Sequence, residues 1–387
     1  MCVAKLWIIS GVTVVFALLA SSAPFATAFA ESRPISNHTG RVNIDTHEIS
    51  GRWEIGAYSS PPKGPGPGKL VAWKIGTNQT RTIVFGKPST LSGNSFYIAH
   101  DAINQRLYVP TLAGKVFTIN ARTFSHQDWI VAPKGSRVAR ISPDGKQLLV
   151  MSATTTFAYS LPKLTLLYER KYGGNAVVFS PHGQYAYIGG NMNESLLKIE
   201  TKTGKVIHVY PISHSGDLAY ADGKVFSANM RTGIMTVLYV HSGKIVNIST
   251  PEVDPHFSYH HIPEATAGFM QLAVDPSHHR LYAAGFSGHI LKFSTSKPAY
   301  LGEISVSAAP RGAPDKLSGI SILDGGRDAF VTVENIKTSV VVKLSTGRII
   351  RKLPGIASNR WVTVVIPAAG SSYRGQDTHV EYNSPYQ

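Results

Sequence analysis

Self-similarity is the property that most restricts how this chain can fold, and it recurs at a period near 40–45 residues. Ile141-Ser142-Pro143-Asp144-Gly145-Lys146-Gln147-Leu148-Leu149-Val150 is echoed by Phe179-Ser180-Pro181-His182-Gly183-Gln184-Tyr185-Ala186-Tyr187-Ile188. Val274 to Tyr282 echoes Ala99 to Tyr108, and shorter copies span Tyr220 to Phe226 and Leu323 to Phe330. Each copy is an apolar strand, a turn built from Pro, Asp and Gly, and a second apolar strand. Asp-Gly supplies the positive φ that a tight hairpin requires. An alternating strand and another turn follow, as in Thr203-Gly204-Lys205-Val206-Ile207, Ser242-Gly243-Lys244-Ile245-Val246 and Thr346-Gly347-Arg348-Ile349-Ile350. Taking Leu107, Leu148, Tyr185, Val225, Leu281 and Ala329 as equivalent gives spacings of 41, 37, 40, 56 and 48. Four short antiparallel strands per repeat at this period form a β-propeller blade. One blade cannot bury both of its faces, so blades must stack around an axis.

Six complete units occupy residues 95 to 356, and fragments remain at both ends. Trp361 to Ile366 reads as a first strand with no successors. Arg52 to Phe85 holds three strands with no first strand: Trp53–Tyr58, Lys69–Lys74 and Arg81–Phe85. Joined, they predict a seventh blade that closes the ring with strands from both termini and removes the sheet edges that promote aggregation. The fold expectation is therefore all-β: a seven-bladed β-propeller of four-stranded antiparallel blades over residues 51–367.

The units resemble YVTN-type repeats of bacterial seven-bladed propellers related to the heavy subunits of quinoprotein amine dehydrogenases. The resemblance rests on Phe179-Ser180-Pro181-His182-Gly183 with Tyr187-Ile188, on Ser195 to Val206, on Val225 to Val246, and on Val331-Thr332-Val333-Glu334-Asn335 to Ile350. It covers most of the chain and implies a scaffold, not an activity. In the amine dehydrogenases, it further implies, the quinone cofactor sits on another subunit.

Composition agrees with a large β core. Hydrophobic residues make up 43% and charged residues only 16% of the 387, with 35 Gly and 23 Pro. That excludes a wholly disordered chain and argues against helical bundles. Residues 1–30 read as a secretory signal: Lys5, an apolar run from Leu6 to Ala20, and Ala28-Phe29-Ala30 as a small-residue cleavage site. Residues 31–50 and 368–387 read as flexible terminal segments. The expected destination is the periplasm or the exterior, with no membrane span after signal cleavage. Cys2 is the single cysteine and leaves with the signal, so no disulfide, Cys-ligated metal or c-type haem attachment is expected, and no cofactor is strongly implied.

Lys and Arg number 38 against 23 Asp and Glu, a formal charge of +15. No block of like charges occurs, and an exported chain rarely meets nucleic acid, so nucleic acid is set aside. Diffuse solvating charge, attraction to an anionic partner or surface, and adaptation to an acidic habitat are the readings that remain.

Function should reside in the loops that enter each innermost strand and join the second and third strands, since these surround one mouth of the channel. They centre on Arg137, Asn175, His214 with Asp217, residues 251–269, residues 308–317, and Asn359-Arg360. They predict a rim with Arg137, Lys171, Arg311, Lys316 and Arg360 and little acid, suited to a small anionic ligand or an acidic protein surface. The 56-residue spacing carries an insertion, Pro251 to Glu264, that includes His256, Tyr259, His260 and His261. Those candidates join Arg137, His214, Arg311 and Arg360 as the expected ligand- or partner-binding residues. Neutral imidazoles beside carboxylates also suit zinc or copper, which makes His256, His260 and His261 a candidate metal set against the plainer reading of a polar surface loop. His278-His279 reads as turn chemistry. The chain contains no Gly-X-Ser-X-Gly elbow, His-Glu-X-X-His, P-loop or EF-hand loop, and no tryptophan-docking motif for pyrroloquinoline quinone. The leading expectation is a non-catalytic binding or scaffold propeller. The alternative is an enzyme or enzyme subunit: a lactonase-like hydrolase, or the heavy subunit of a periplasmic quinoprotein or redox complex.

Overall fold

The computed structural model describes residues 53–58, 68–86, 97–190, 192–258, 261, 264–309, 315–336, 338–354 and 362–366. The strands begin with β1 (Trp53–Tyr58), β2 (Gly68–Lys74) and β3 (Thr80–Phe85). Six four-stranded units follow. The first holds β4 to β7, at Ala99–Asp101, Arg106–Thr111, Lys115–Asn120 and His126–Val131. The second holds β8 to β11, at Val138–Ile141, Gln147–Met151, Thr156–Ser160 and Leu166–Arg170. The third holds β12 to β15, at Ala176–Phe179, Tyr185–Gly189, Leu196–Glu200 and Val206–Tyr210. The fourth holds β16 to β19, at Ser215–Ala221, Lys224–Asn229, Ile234–Tyr239 and Ile245–Ser249. The fifth holds β20 to β23, at Phe269–Asp275, Arg280–Gly285, His289–Ser294 and Ala299–Ser305. The sixth holds β24 to β27, at Leu317–Leu323, Asp328–Val333, Thr338–Lys343 and Ile349–Pro354, and β28 (Val362–Ile366) ends the series.

These strands form seven antiparallel sheets of four, and the seventh has the order β28-β1-β2-β3. Trp53 pairs with Ile366 and Ile55 with Val364, so the last strand of the chain becomes the innermost strand of the blade that the first strands begin. Innermost strands touch their neighbours in sequence from β4 through β8, β12, β16, β20 and β24 to β28, which returns to β4. The ring is closed, as the two terminal fragments predict.

Core side chains lie between blades. Trp53, Ile55 and Leu70 of the seventh blade pack with Leu107, Phe117 and Ile119 of the first. Trp73 stacks on Phe330 across the sixth and seventh, with ring centroids 5.7 Å apart. The repeat positions fall on the second strand of each blade, and Leu107, Leu148, Val225, Leu281 and Ala329 are all fully buried. Tyr185 is the exception. It pairs with Glu200 as Gln147 pairs with Ser160, so Ala186, also fully buried, is the true equivalent of Leu148. The Asp-Gly turn behaves as its chemistry requires at Asp222-Gly223, where φ is 47° and 71° and Ala221 pairs directly with Lys224.

One end of six of the seven blades is bound together in the same way. The third-to-fourth turn donates a backbone N–H to the first-to-second turn in six blades: Ala121 to Gln105, Leu161 to Lys146, Thr201 to Gln184, Val240 to Gly223, Thr295 to His279, and Leu344 to Arg327. These turns therefore share one face, and the loops that enter the innermost strands lie on the other.

Candidate functional site at the loop-rich mouth

The mouth is a belt of loops braced by backbone bonds. The residue after a fourth strand donates to a glycine carbonyl in the second-to-third loop: Ala132 to Gly114, Thr250 to Gly233, and Val306 to Gly288. Carboxylates add further braces. Asp315 accepts from the N–H groups of Ala308 and Ala309 at 2.9 and 2.7 Å. Asp217 lies in strand β16, not in the entering loop as its neighbourhood with His214 suggests. It is buried, and its carboxylate accepts from Leu218 N and, across to the fifth blade, from Leu272 N, both at 2.8 Å. Gln271 repeats the device one blade on by accepting from Ile320 N at 2.9 Å.

The insertion between β19 and β20 is anchored at its root by two acids. Glu252 is 1% exposed; its Oε1 accepts from Gly268 N at 2.8 Å and Ser287 N at 3.0 Å, and its Oε2 accepts from Ser287 Oγ at 2.5 Å. Burial raises the carboxyl above its ordinary value, against the lowering effect of these donors. Asp254 accepts from Thr266 N and His256 N, both at 2.8 Å, and closes the neck of the loop. The Thr266 N–H holds the Asp254 carboxyl below its ordinary value. Phe257, 8% exposed, joins the largest hydrophobic cluster with Ala265, Met270 and Phe286. The expectation that the insertion covers the mouth without entering a core is therefore corrected. Its root is core, and only its crown is surface.

At the crown, His256 and His261 are exposed, and His261 Nδ1 lies 3.4 Å from Glu264 Oε1. Tyr259 and His260 lie outside the described residues, as do Arg311 and Arg360. Among the described residues no three His, Cys, Asp or Glu side chains gather in metal-holding geometry. His214 lies at the entry to β16 of the fourth blade, 3.6 Å from Glu194, in a left-handed conformation with φ 54°. Arg137 is half-buried on the loop entering β8, and its backbone links Tyr97 and Met151. Arg137, His214 and the insertion thus belong to the loops that enter the second, fourth and fifth blades. The described loops carry five Lys or Arg against six Asp or Glu, but Glu252, Asp254 and Asp315 are buried, which leaves Glu194, Glu264 and Glu334 facing the five cations, and Lys171 is paired with Glu169.

A line of polar groups escaped the motif search. Glu252, Ser287, His289 and Glu303 form a chain in which Ser287 Oγ lies 3.0 Å from His289 Nδ1 and His289 Nε2 lies 3.6 Å from Glu303. It is not a nucleophilic triad. The serine proton is committed to Glu252, Ser287 N is held by the same carboxylate, and Gly288 N is bonded to Gly285 O. No backbone donor there is left for an oxyanion. The only signal for this chain in the sequence is Glu252 falling inside a non-repeating insertion. Two further polar residues lie on adjacent innermost strands: Arg140 is buried with its guanidinium 4.3 Å from the Tyr97 ring centre, and burial lowers His100 to about 4.

No protein-family profile matches the chain, and no curated protein matches it. A solved chain of Kuenenia stuttgartiensis Hydrazine Synthase superposes with a TM-score of 0.59 at 12% identity, covering 72% of this chain and 96% of that one. The likeness is one of fold. Because 1681 solved chains align with this one, the architecture discriminates little between activities. What the comparisons and the topology together establish is a seven-bladed β-propeller.

Proposed function

We propose that the chain is an exported, non-catalytic binding propeller that recognises a partner protein through the crown of the 251–264 insertion. One observation carries this reading. The root of the insertion is locked by Glu252, Asp254 and Phe257, while His256 and His261 stand exposed at its crown. A loop additional to the blade period and fixed at its base is a pre-ordered display, and order present before contact lowers the entropy lost on binding. The resemblance of the repeats to YVTN-type propellers belongs to this reading and is consistent with it. The enzyme-subunit alternative is compatible with the likeness to a hydrazine synthase chain, but that likeness brings no reactive residue with it.

The test is a photo-crosslinking amino acid placed at position 256 or 261 in the producing cells. A discrete adduct at either position, lost when Glu252→Ala releases the root, is the expected result. No adduct at either position overturns the proposal. Turnover of lactones or amines by the isolated protein would replace it with the enzymatic reading.

A further inference from the structure

The face opposite the mouth has a different character. The third-to-fourth turns of six consecutive blades each present an exposed cation: Arg122, Lys163, Lys202, Lys244, Lys297 and Arg348. Lys205 shares the third of these turns, and Lys146 and Arg327 occupy first-to-second turns on the same face. Against these nine stand three turn carboxylates, Asp144, Asp222 and Asp324, of which only Asp144 is exposed, 4.0 Å from Lys146 Nζ. Asp222 is taken up by Thr295 Oγ1 at 2.6 Å and His279 Nδ1 at 2.9 Å. Asp101 and Asp275, at the adjoining strand ends, are 2% exposed; they accept from Asn104 and from Ser277 Oγ, and His278 Nδ1 lies 2.7 Å from Asp275. Asp144 apart, the acids of this face are buried or half-buried, Glu200 and Asp328 at the strand ends among the latter, and the nine cations are exposed.

Apolar side chains stand among those cations. Leu166 and Leu167, 48% and 45% exposed, begin β11 just after Lys163. Val206 and Ile207, 38% and 46% exposed, begin β15 just after Lys205, and Ile103, 57% exposed, tops the first-to-second turn of the first blade. Cations set one per blade around a ring do not converge on a small ligand. They match an extended anionic plane. Lysine stems lie along apolar surface with their ammonium groups at headgroup level, and aliphatic side chains between them enter the acyl boundary. Among the described residues no helix is long and apolar enough to cross a membrane, and this mode needs none.

We infer that the turn face opposite the mouth docks peripherally on an anionic phospholipid bilayer, centred on the second and third blades where Lys163, Lys202 and Lys205 adjoin Leu166, Leu167, Val206 and Ile207. This does not depend on the function proposed for the mouth and uses none of its residues.

The experiment is co-sedimentation of the processed protein, from Glu31, with vesicles of phosphatidylcholine alone or with about 30% phosphatidylglycerol at low ionic strength. Binding to the anionic vesicles only, reversed by salt, is expected, because surface charge is screened within a Debye length. Each basic residue at such a surface contributes roughly fivefold, so Lys163→Gln, Lys202→Gln and Lys205→Gln together should weaken binding on the order of a hundredfold. Lys134→Gln, Lys171→Gln and Arg231→Gln remove the same charge from the opposite mouth and should leave binding unchanged. Leu167→Ser with Ile207→Ser should lower the fraction that stays bound as salt rises. All of these sites are exposed, and an unchanged melting temperature confirms folding. Equal binding to both vesicle types, or equal loss in both triple variants, overturns the inference. So does binding to polyphosphate or polyglutamate in solution with none to vesicles, which would assign the face to a soluble polyanion or an acidic protein.

Discussion

Replacing Glu252 with Ala removes one acceptor group that serves two backbone donors and a hydroxyl. Gly268 N–H and Ser287 N–H lose their partner, and Ser287 Oγ can turn to His289 Nδ1, 3.0 Å away. A buried donor left unsatisfied costs about 1–3 kcal/mol. Gly268 is buried and Ser287 is half-buried, so water compensates only the second in part. The expected loss is about 2–4 kcal/mol, which at roughly 2 °C per kcal/mol for a domain of this size lowers the melting temperature by about 4–8 °C. Glu252→Gln keeps an acceptor and should fall within about 2 °C of the parent at neutral pH. The two should part as pH falls. The folded Glu252 carboxyl titrates above its ordinary value of 4.5, so its contribution is fully present below about 4.5 and is lost as pH rises through the folded value. The parent should therefore gain on Glu252→Gln between pH 7 and pH 4.5. Thermal melts of the three proteins at both pH values, with amide exchange at Gly268 and Ser287, measure this directly. An Ala variant that melts with the parent and keeps slow exchange at both amides would refute the brace. Gly285 supplies a second check. A Cβ there would stand 2.7 Å from the Glu252 carboxyl, so Gly285→Ala should reproduce the Ala phenotype.

Removing β28, Val362–Ile366, takes away the strand that pairs with β1 and opens the seventh blade at its inner edge, so aggregating protein or a melting temperature lower by more than about 10 °C is expected; native-like melting of soluble truncated protein contradicts ring closure. Phe257→Ala should cost about 3–5 kcal/mol, whereas His256→Ala with His261→Ala should stay within about 1 kcal/mol, both read by denaturant titration. Equal effects would mean that root and crown are not distinct. Asp217→Ala unpairs Leu272 N–H between the fourth and fifth blades and should cost about 1–3 kcal/mol, with faster exchange at that amide as the signature.

The architecture was legible because a blade is specified locally. Alternation, Asp-Gly turns and a fixed period each act over a few residues, and even the closing blade could be assembled from its two fragments. Superposing Ser180-Pro181-His182-Gly183 on Ser142-Pro143-Asp144-Gly145 places Ala186 on Leu148, as the register does, whereas matching by the large apolar side chain selects Tyr185, one residue too early. The site was less legible for a related reason. Glu252, Asp254 and Phe257 in an insertion rich in His and Pro read as solvated decoration. Their role appears only when Gly268 and Ser287, 16 and 35 residues later in the chain, supply the donors. Asp217 read as a loop residue because a bulge between Ser215 and Asp217 brings it into the ladder of β16.

The same bookkeeping explains where the chain's positive charge lies. A formal +15 counts every carboxylate as surface, yet Glu54, Asp101, Asp217, Glu252, Asp254 and Asp275 are buried. Five of these six accept hydrogen bonds from backbone N–H groups or from side chains at blade junctions and loop roots, and Glu54 accepts from Ser321 Oγ at 2.8 Å between the sixth and seventh blades. A propeller has many such junctions, because each loop and turn leaves backbone donors that the strand ladders do not use. Acids placed there are held inside by the fold and are withdrawn from the field that a partner meets. Lysine and arginine accept nothing and, Arg140 and Lys224 apart, stay outside the described core. The excess then falls on the face whose turns are short and hydrogen-bonded to one another. At the mouth, Glu194 and Glu264 remain exposed beside His214 and His261. Two faces of one ring thus come to differ in charge without any run of basic residues in the sequence.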